Sequence, residues 1–371
     1  MTGRYHISDS SSIISPGLVV FEEIVDENIQ KMIEIAGSTD RLRPHCKTHK
    51  MAEVARKQLA AGITKHKAAT FAEAEMLADA GAEDIFLAYN IVGPNIKRAV
   101  EFVRKYPQVT FSVTADHPNP VAQLSEAFSK AGLSIEVVLD LDSGLHRTGL
   151  LPGKEAEELY KQIADAPGLK PGGFHLYDGQ NHQTDFKERT AAVNACWEPA
   201  RMLKEKLTSA GLSVPRIVAG GTGSFPVYAK ISDPVLELSP GTCVFNDSGY
   251  SNMFPDMVFT PAAVMLTRVI SRPTADRLTL DLGTKGVASD PPSGKRVFFP
   301  DLPEAEHVLQ NEEHLVLQTP RAKEYQPGDE LIAIPTHICP TSALHKCAYV
   351  VRDGDVVAHW NVIARDRQLT I

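Results

Sequence analysis

The chain is poor in cysteine, and its cysteines do not form a recognisable framework. There are five in 371 residues, an odd number, and no two stand in a Cys-X-X-Cys arrangement. They are Cys46, Cys196, Cys243, Cys339 and Cys347. Secreted domains held by disulfides carry closely spaced cysteines, so this usage argues against a disulfide scaffold and predicts a reducing, cytoplasmic location. A functional cysteine in this chain is therefore expected to be a ligand.

Three other features are absent from the sequence. The longest apolar runs are a few residues, far short of the roughly 20 that a membrane helix needs. The first residues, MTGRYHISDSSS, lack the charged and apolar regions of a secretory signal, so none is expected. Basic residues form no stripe interleaved with aromatics, and the formal net charge is −8. We therefore expect neither a membrane nor nucleic acid as a partner.

What the sequence does contain is a regular alternation of β-type and helical segments. The composition is that of a globular protein, with 43% hydrophobic and 23% charged residues. Amphipathic stretches, apolar at i, i+3 and i+4, separate eight β-type runs. The runs are 42–47, 66–70, 84–89, 109–113, 135–141, 172–177, 216–220 and 235–239. This pattern predicts a (β/α)8 barrel of the TIM type, with a doubly wound open sheet as the alternative.

After residue 250 the pattern changes to short β-type segments separated by Gly, Pro and Asp. No long helical period lies between them, which predicts a C-terminal all-β domain. We assign the barrel to residues 20–250 and the β domain to residues 251–371. Residues 1–19 are grouped with the β domain, because the opening strand in SPGLVVFEE is not one of the eight barrel strands.

Polar side chains follow several predicted barrel strands, at the end where barrel enzymes place their catalytic groups. Lys47 ends the first strand, within RPHCKTHK. It is either a solvated cation or an amine that forms a Schiff base with a carbonyl compound. Arg147 follows the fifth strand, and Tyr177 and His182 follow the sixth. The ordinary interpretation of Arg147 is a surface ion pair, that of Tyr177 a packed ring and that of His182 a solvated imidazole.

A glycine-rich run, Gly-Gly-Thr-Gly-Ser at 220–224, follows the seventh strand. Glycines allow backbone N–H groups to converge, and the Thr222 and Ser224 hydroxyls add donors, so the run is a candidate anion cradle. It is neither a P-loop nor a Rossmann fingerprint, because the required lysine and third glycine are missing. A flexible loop is the ordinary alternative, but barrels commonly bind phosphate after strands seven and eight.

The C-terminal region contains a His-X-Cys sequence, His337-Ile338-Cys339. In an extended segment these two side chains would point to the same side. Imidazole and thiolate together favour zinc over a hard cation. The ordinary alternative is a buried cysteine next to an unrelated histidine.

These motifs resemble those of the fold-type III pyridoxal-phosphate enzymes, the alanine-racemase-like barrels. The branch most similar contains D-threonine aldolase and D-serine dehydratase. RPHCKTHK resembles its cofactor-lysine motif, and DSGLHRTG resembles its D-x-G-x-x-R-x-G segment. HLYDG, AGGTGS, SPGTCVFND and the terminal His-X-Cys match in order and approximate spacing. The resemblance covers essentially the whole chain.

The resemblance implies a role for each matching residue. Lys47 would form the Schiff base with pyridoxal 5'-phosphate, Arg147 would contact the phenolic oxygen, and Tyr177 would lie beside the ring. The phosphate would be held by Thr222, Gly223, Ser224, Gly241 and Thr242. His337 and Cys339 would bind a divalent metal (zinc, manganese or magnesium), and His182 would be a base near the substrate hydroxyl. The resemblance also implies a homodimer.

Two reactions fit this set of residues. The substrate is expected to be a D-β-hydroxy-α-amino acid, with the metal acting as a Lewis acid on its hydroxyl. An aldolase would break the Cα–Cβ bond of a D-threonine-type substrate and release glycine and an aldehyde. A D-serine or 3-hydroxyaspartate dehydratase would release a keto acid and ammonia. Cys339 is the residue that dehydratases of this branch carry, whereas the YDG segment is more like the aldolases. We predict the aldolase.

Two further alternatives remain. A racemase would need a second acid/base on the opposite face of the substrate and no metal. A pyridoxal-phosphate-binding protein without catalytic activity would need only the barrel. The additional β domain, which carries the His-X-Cys sequence, favours an enzyme.

Overall fold

The computed structural model describes residues 3–371 of the chain. Within this range it contains sixteen strands and ten α-helices. The strands are β1 (Gly17–Phe21), β2 (Lys65–Ala68), β3 (Asp84–Asn90), β4 (Thr110–Ala115), β5 (Ile135–Asp142), β6 (Leu169–Tyr177), β7 (Ile217–Ala219), β8 (Leu236–Leu238), β9 (Ala263–Thr274), β10 (Arg277–Leu280), β11 (Val297–Phe298), β12 (Glu306–Gln310), β13 (Leu315–Gln318), β14 (Glu330–Pro335), β15 (Cys347–Arg352) and β16 (Asp355–Asn361). The helices are α1 (Glu22–Ala36), α2 (Ala52–Ala60), α3 (Phe71–Asp79), α4 (Pro94–Lys105), α5 (Pro118–Ala131), α6 (Lys154–Asp165), α7 (Phe186–Ser209), α8 (Phe225–Tyr228), α9 (Ser248–Met253) and α10 (Ile338–Leu344).

The chain divides into two compact units. The barrel unit comprises Met32–Lys47, Ala55–Gly241 and Arg367–Ile371. The β unit comprises the segment up to Lys31, Thr48–Val54 and Thr242–Asp366. The domain limits of 20–250 and 251–371 stay a prediction.

The barrel unit is built on a seven-stranded parallel sheet in the order β2-β3-β4-β5-β6-β7-β8. Each strand is followed by a helix before the next parallel strand, as a parallel sheet requires. Phe86 on β3, Val138 on β5 and Val218 on β7 are fully buried and pack together. These residues come from alternate strands, which is how the interior of a (β/α)8 barrel is filled. The predicted fold, a barrel with a C-terminal β domain, is confirmed.

The first predicted barrel strand, 42–47, is not a strand. Leu42 bridges Leu238 of β8 and His45 bridges Lys67 of β2, both in parallel orientation, so this segment occupies the eighth position in the sheet. Pro44 has no N–H to donate to a neighbouring strand, which limits the pairing to single bridges. The chain then turns into a 3₁₀ helix, Cys46–Thr48.

A buried arginine ties this short segment to the sheet. Arg43 is fully buried; its Nη1 and Nη2 lie 2.7 and 3.0 Å from the two carboxylate oxygens of Asp84 on β3. Its Nε donates to Glu237 of β8 at 2.5 Å. Bidentate, charge-assisted bonds of this kind are the strongest that side chains make. Ion pairs therefore add to the backbone bonds that Arg43 and His45 donate to Leu238 and Pro240 at 2.8 Å.

Helix boundaries in the barrel unit follow from local chemistry. Thr70 is the N-cap of α3, and its hydroxyl accepts the Glu73 N–H at 3.1 Å. The Glu73 carboxylate in turn accepts the Ala69 N–H at 2.6 Å. This reciprocal arrangement is similar to a capping box. Gly132 is the C-cap of α5, with φ of +67°, a conformation in which glycine is favoured. Trp197 of α7 packs edge-to-face on Tyr228, with ring centroids 6.3 Å apart.

The β unit is a mainly antiparallel sheet in the order β12-β13-β10-β9-β1-β15-β16, with β14 paired to β9 and β11. β1 lies in its centre, antiparallel to β9 and parallel to β15. All five residues of β1 are buried, as expected for a central strand.

Replacing Arg43 with Met should destabilise the barrel unit by about 3 to 5 kcal/mol, because it leaves Asp84 and Glu237 without their cation. Chemical denaturation followed by far-UV circular dichroism would measure the loss. The matched control is Arg104→Met, which removes an exposed ion pair to Glu101 and should cost less than about 1 kcal/mol. Equal denaturation midpoints for the two variants would show that the barrel closes without Arg43.

Candidate active site

Lys47 lies in the 3₁₀ turn that follows the bridging segment 42–45. Its side chain is half-buried, and its Nζ is 5.9 Å from the centre of the Tyr177 ring at the end of β6. The turn is fixed by His45, whose Nδ1 accepts the Lys47 N–H at 3.3 Å. The structure therefore brings together two of the residues predicted for the site, an amine and an aromatic ring.

The Tyr177 ring is held by two glycines. A Cβ at Gly179 would lie 2.5 Å from the ring and one at Gly221 would lie 3.0 Å from it, so the backbone approaches both sides closely. The guanidinium carbon of Arg147 lies 4.8 Å from the ring centre, within the range of a cation–π contact. Arg147, Tyr177 and Lys47 thus lie close together.

The turn that presents Arg147 is organised by Asp142. One carboxylate oxygen of Asp142 accepts the N–H groups of Gly144 and His146 at 2.9 and 3.0 Å, and the other lies 2.7 Å from the His146 ring. Gly149 follows with φ of +95°, and a Cβ there would lie 2.7 Å from the Asp142 nitrogen. The aspartate and glycines of DSGLHRTG therefore shape the turn that holds the arginine.

Sequence reasoning missed a set of buried charges in the interior of the barrel unit. Lys67 of β2 is only 2% exposed, and Asp140 of β5 binds the His175 ring at 2.8 Å. Burial lowers the pKa of the Lys67 ammonium to about 7. The positive charges of Lys47, Arg43 and Arg147 contribute to this lowered value, and the charge of Asp140 opposes it. A lysine at an inward position of a predicted strand, in HKAAT, was the signal available in the sequence.

The glycine-rich run forms a tight loop after β7. Gly220 has φ of +80°, and a Cβ there would lie 2.8 Å from the Tyr228 ring. Within residues 3–371 the backbone N–H groups of Gly223 and Ser224 have no acceptor. Thr222 is tied to the chain after β8, since its hydroxyl accepts the Gly241 N–H at 3.3 Å. Converging unpaired N–H groups suit an anion.

His182 is not brought together with these residues by any contact. Its side chain is exposed in the loop between β6 and α7. The structure shows no hydrogen bond or ion pair of this side chain with any other part of 3–371. The His182 imidazole is therefore accessible to solvent.

In the β unit, His337 and Cys339 lie at the start of α10. His337 is the N-cap residue and Cys339 is in the first helical turn, so the predicted extended conformation is wrong. The reason is a remote cap, because the Ile338 N–H donates to the Asp247 carboxylate at 3.0 Å and starts the helix there. Thr48 and Thr242 lie within the same unit, with hydroxyls 3.2 and 3.5 Å from the Cys339 sulfur.

The His337 and Cys339 side chains interact directly. Burial opposes ionisation of both, but their mutual hydrogen bond and charges outweigh it, with a further contribution from Asp290 at His337. The pKa of His337 is raised to about 9 and that of Cys339 is lowered. Asp290 lies 2.5 Å from His337 Nδ1, which leaves Nε2 for a metal, as in many carboxylate–histidine–zinc sites. The donor set therefore fits a divalent ion such as zinc.

A second group of possible metal ligands lies in the barrel unit and was not expected from the sequence. One ligand atom each of His45, Cys46 and Glu73 lies within 4.8 Å of the others. The Cys46 thiol donates to the Glu73 carboxylate at 3.7 Å, and Glu73 also caps α3. Hydrogen bonding and capping account for this group without a metal.

None of the helices within residues 3–371 has the length and apolar character needed to cross a membrane.

Comparison with known proteins matches both parts of the chain to families. Residues 23–248 match "Alanine racemase, N-terminal domain", and residues 262–351 match "Putative serine dehydratase domain". The chain is 31% identical to a D-threonine aldolase of Arthrobacter sp over 95% of its own length and 92% of the relative's. It is 27% identical to a D-threo-3-hydroxyaspartate dehydratase of Delftia sp., over 89% of this chain and 92% of that one.

A solved structure is also similar over almost the whole chain. The D-threonine aldolase from Filomicrobium marinum superposes with a TM-score of 0.88 at 28% identity, covering 95% of this chain and 96% of that one.

Lys67 should make the apo protein more stable as pH rises from about 7 towards 10. An unfolded lysine keeps its proton up to about pH 10.4, whereas folded Lys67 loses it near pH 7. The unfolded state then binds the extra proton, so stability rises with pH by up to about 1.4 kcal/mol per unit. Urea denaturation of the wild type and of Lys67→Met across this range would measure the difference, with the exposed Lys130→Met as control. A constant difference between wild type and Lys67→Met would contradict the lowered pKa.

Proposed function

The chain belongs to the family of the alanine racemase N-terminal domain, and from this premise we propose that it is a pyridoxal-phosphate- and metal-dependent lyase of D-β-hydroxy-α-amino acids. The reaction proposed is retro-aldol cleavage of D-threonine-type substrates to glycine and an aldehyde. The observation that carries the proposal is the Lys47 amine facing the Tyr177 ring, in a chain 31% identical to a D-threonine aldolase.

The residues of the barrel unit fit the cofactor. Lys47 offers an amine for its aldehyde, and Tyr177 offers a flat surface held in place by Gly179 and Gly221. The unpaired N–H groups of Gly223 and Ser224 suit the phosphate. Thr222, Gly241 and Thr242 are proposed to complete its binding, and Arg147 to contact the phenolic oxygen.

Each side chain has a proposed task in the cleavage. Pyridoxal phosphate, when bound, supplies an electron sink for the electron pair left on Cα. Lys47 would offer the amine that holds the cofactor's aldehyde. His182 is proposed to take the proton of the β-hydroxyl, so that the carbon–oxygen bond becomes a carbonyl as the Cα–Cβ bond breaks, and Cα then takes up a proton from solvent to give glycine. His337 and Cys339 are proposed to hold a divalent ion, which supplies Lewis acidity.

Dehydration is the second candidate reaction. It is favoured by the match of residues 262–351 to a putative serine dehydratase domain and by the soft sulfur ligand, Cys339. In that reaction Lys47 would remove the Cα proton, and the β-hydroxyl would leave as water. The products, a keto acid and ammonia, distinguish it from cleavage.

The homodimer and the cytoplasmic location stay predictions. None of the five described cysteines forms a disulfide, which supports the proposal of a reducing compartment.

Incubating the protein with D-threonine, pyridoxal phosphate and a divalent metal should release glycine and acetaldehyde in equal amounts. Lys47→Ala should lower this rate by roughly 10³-fold or more and lose the visible absorption of the bound aldehyde, because the amine is the attachment point. The exposed Lys130→Ala is the control and should match the wild type. If the products are a keto acid and ammonia without glycine, the protein is a dehydratase and not an aldolase. Epimerisation of the substrate without either set of products would favour a racemase.

Each chain should bind one zinc or manganese ion through His337 and Cys339. His337→Ala should lose it, because one remaining sulfur ligand is too few to hold the ion. Metal content after dialysis, measured by plasma mass spectrometry, would test this without reference to activity. The control is His314→Ala, an exposed histidine of the same unit. If His337→Ala keeps one equivalent of metal and Cys46→Ala loses it, the ion lies instead at the group of His45, Cys46 and Glu73.

A further inference from the structure

Asp178 is a buried carboxyl that the proposed reaction does not use. It follows Tyr177 at the end of β6 and is only 2% exposed. One of its oxygens accepts the Ser224 hydroxyl at 2.7 Å, and the other accepts the Asn181 side-chain N–H at 3.0 Å. A buried carboxyl with two directed bonds is a fixed structural element, and one of its bonds leads directly into the glycine-rich loop.

The bond from Asp178 determines what the Ser224 hydroxyl can do. This hydroxyl gives its only proton to Asp178, and its oxygen accepts the Gly221 N–H at 3.1 Å. It therefore has no proton left to donate to a ligand. The backbone N–H groups of Gly223 and Ser224 do remain as donors for an anion.

The arrangement links two strand ends of the barrel unit through one side chain. Asp178 follows β6, whereas Gly221 and Ser224 follow β7. Ser224 bridges from Asp178 to the Gly221 backbone, so the curvature of the loop depends on the position of the carboxyl. Gly220 reinforces this curvature, since a Cβ there would lie 3.0 Å from the Ser224 oxygen.

The electrostatics are compatible with an anion nearby. Burial raises the pKa of Asp178, and the bonds from Ser224 and Asn181 oppose that effect only in part. A pKa shifted in this direction reduces the tendency of the carboxyl to carry a negative charge next to the loop.

We propose that Asp178 is a positioning residue that holds Ser224 and Gly221 so that the loop after β7 selects a phosphorylated ligand. This inference rests on the proposed function, in which the phosphate of pyridoxal phosphate binds to that loop. Asp178 itself does not contact the ligand, and it acts through the Ser224 hydroxyl. The specific consequence is a preference for pyridoxal 5'-phosphate over pyridoxal, since the two differ only in the phosphate.

The test measures the affinity of Asp178→Ala for both aldehydes by absorbance titration. The affinity for pyridoxal phosphate should fall about 10- to 100-fold, the loss expected for bonds to a charged group, while that for pyridoxal changes less than about 2-fold. Inorganic phosphate should compete with pyridoxal phosphate in the wild type and much less in the variant. Asp178→Asn should recover most of the preference, because its amide oxygen can still accept the Ser224 hydroxyl.

A control separates positioning from general destabilisation. Asp185→Ala removes the N-cap of α7, where Asp185 accepts the Lys187 and Glu188 N–H groups at 2.9 Å. This change loosens the same stretch of chain without touching the glycine-rich loop. It should therefore weaken the binding of both aldehydes equally. The ratio of the two affinities should stay at the wild-type value.

A second variant covers the case in which Asp178→Ala does not fold. Ser224→Ala removes the intermediate hydroxyl and should lower the preference for the phosphate by a similar factor. Because Asp178 acts through Ser224, the double variant should be no worse than either single one. Fully additive losses, or an unchanged ratio of affinities in Asp178→Ala, would overturn the proposal. A wild type that binds neither aldehyde, or binds both equally well, would instead contradict the proposed function.

Discussion

The closure of the barrel unit depends on one buried guanidinium, that of Arg43. The segment on which it lies pairs with its neighbours through isolated bridges at Leu42 and His45, with backbone bonds from Arg43 and His45 to Leu238 and Pro240. The bonds from Arg43 to Asp84 and Glu237 secure this segment to β3 and β8. Lys47 comes four residues later, so the position of the amine follows from ion pairs made earlier in the same segment. A shift of one residue in the pairing of this segment would move Arg43 away from Asp84 and Glu237. Lys47 would be displaced with it.

The candidate site depends in a similar way on backbone that approaches side chains closely. Tyr177 lies where it does because Gly179 and Gly221 leave room for its ring on both sides. Gly149 permits the turn that presents Arg147, since any Cβ there would meet the backbone of Asp142. Gly149, Gly179 and Gly221, which belong to the DSGLHRTG, YDG and AGGTGS motifs, are thus explained by packing around the ring and the arginine, before any ligand is considered.

The sequence was most informative where a local pattern decides the structure. β2 to β8 are buried parallel strands separated by amphipathic helices, and both patterns are visible in the sequence. The first strand was misjudged because Pro44 limits its pairing, and the conformation at Cys339 was misjudged because Asp247, far away in the chain, caps that helix. Lys67, Asp140 and His175 were missed because their proximity depends on the pairing of distant strands. The direction of the Ser224 hydroxyl depends on Asp178, which is distant in the chain, so the sequence could not predict it either.

The edge-to-face contact of Trp197 with Tyr228 gives the barrel unit an optical reporter. Trp197 is one of two tryptophans in the chain, and the other, Trp360, lies on β16 of the β unit. Tyr228 also contacts the glycine-rich loop at Gly220, so the Trp197 emission senses the chain next to that loop. Each unit therefore contains its own fluorophore. Replacing one tryptophan at a time by phenylalanine would let the unfolding of each unit be followed separately within the intact protein.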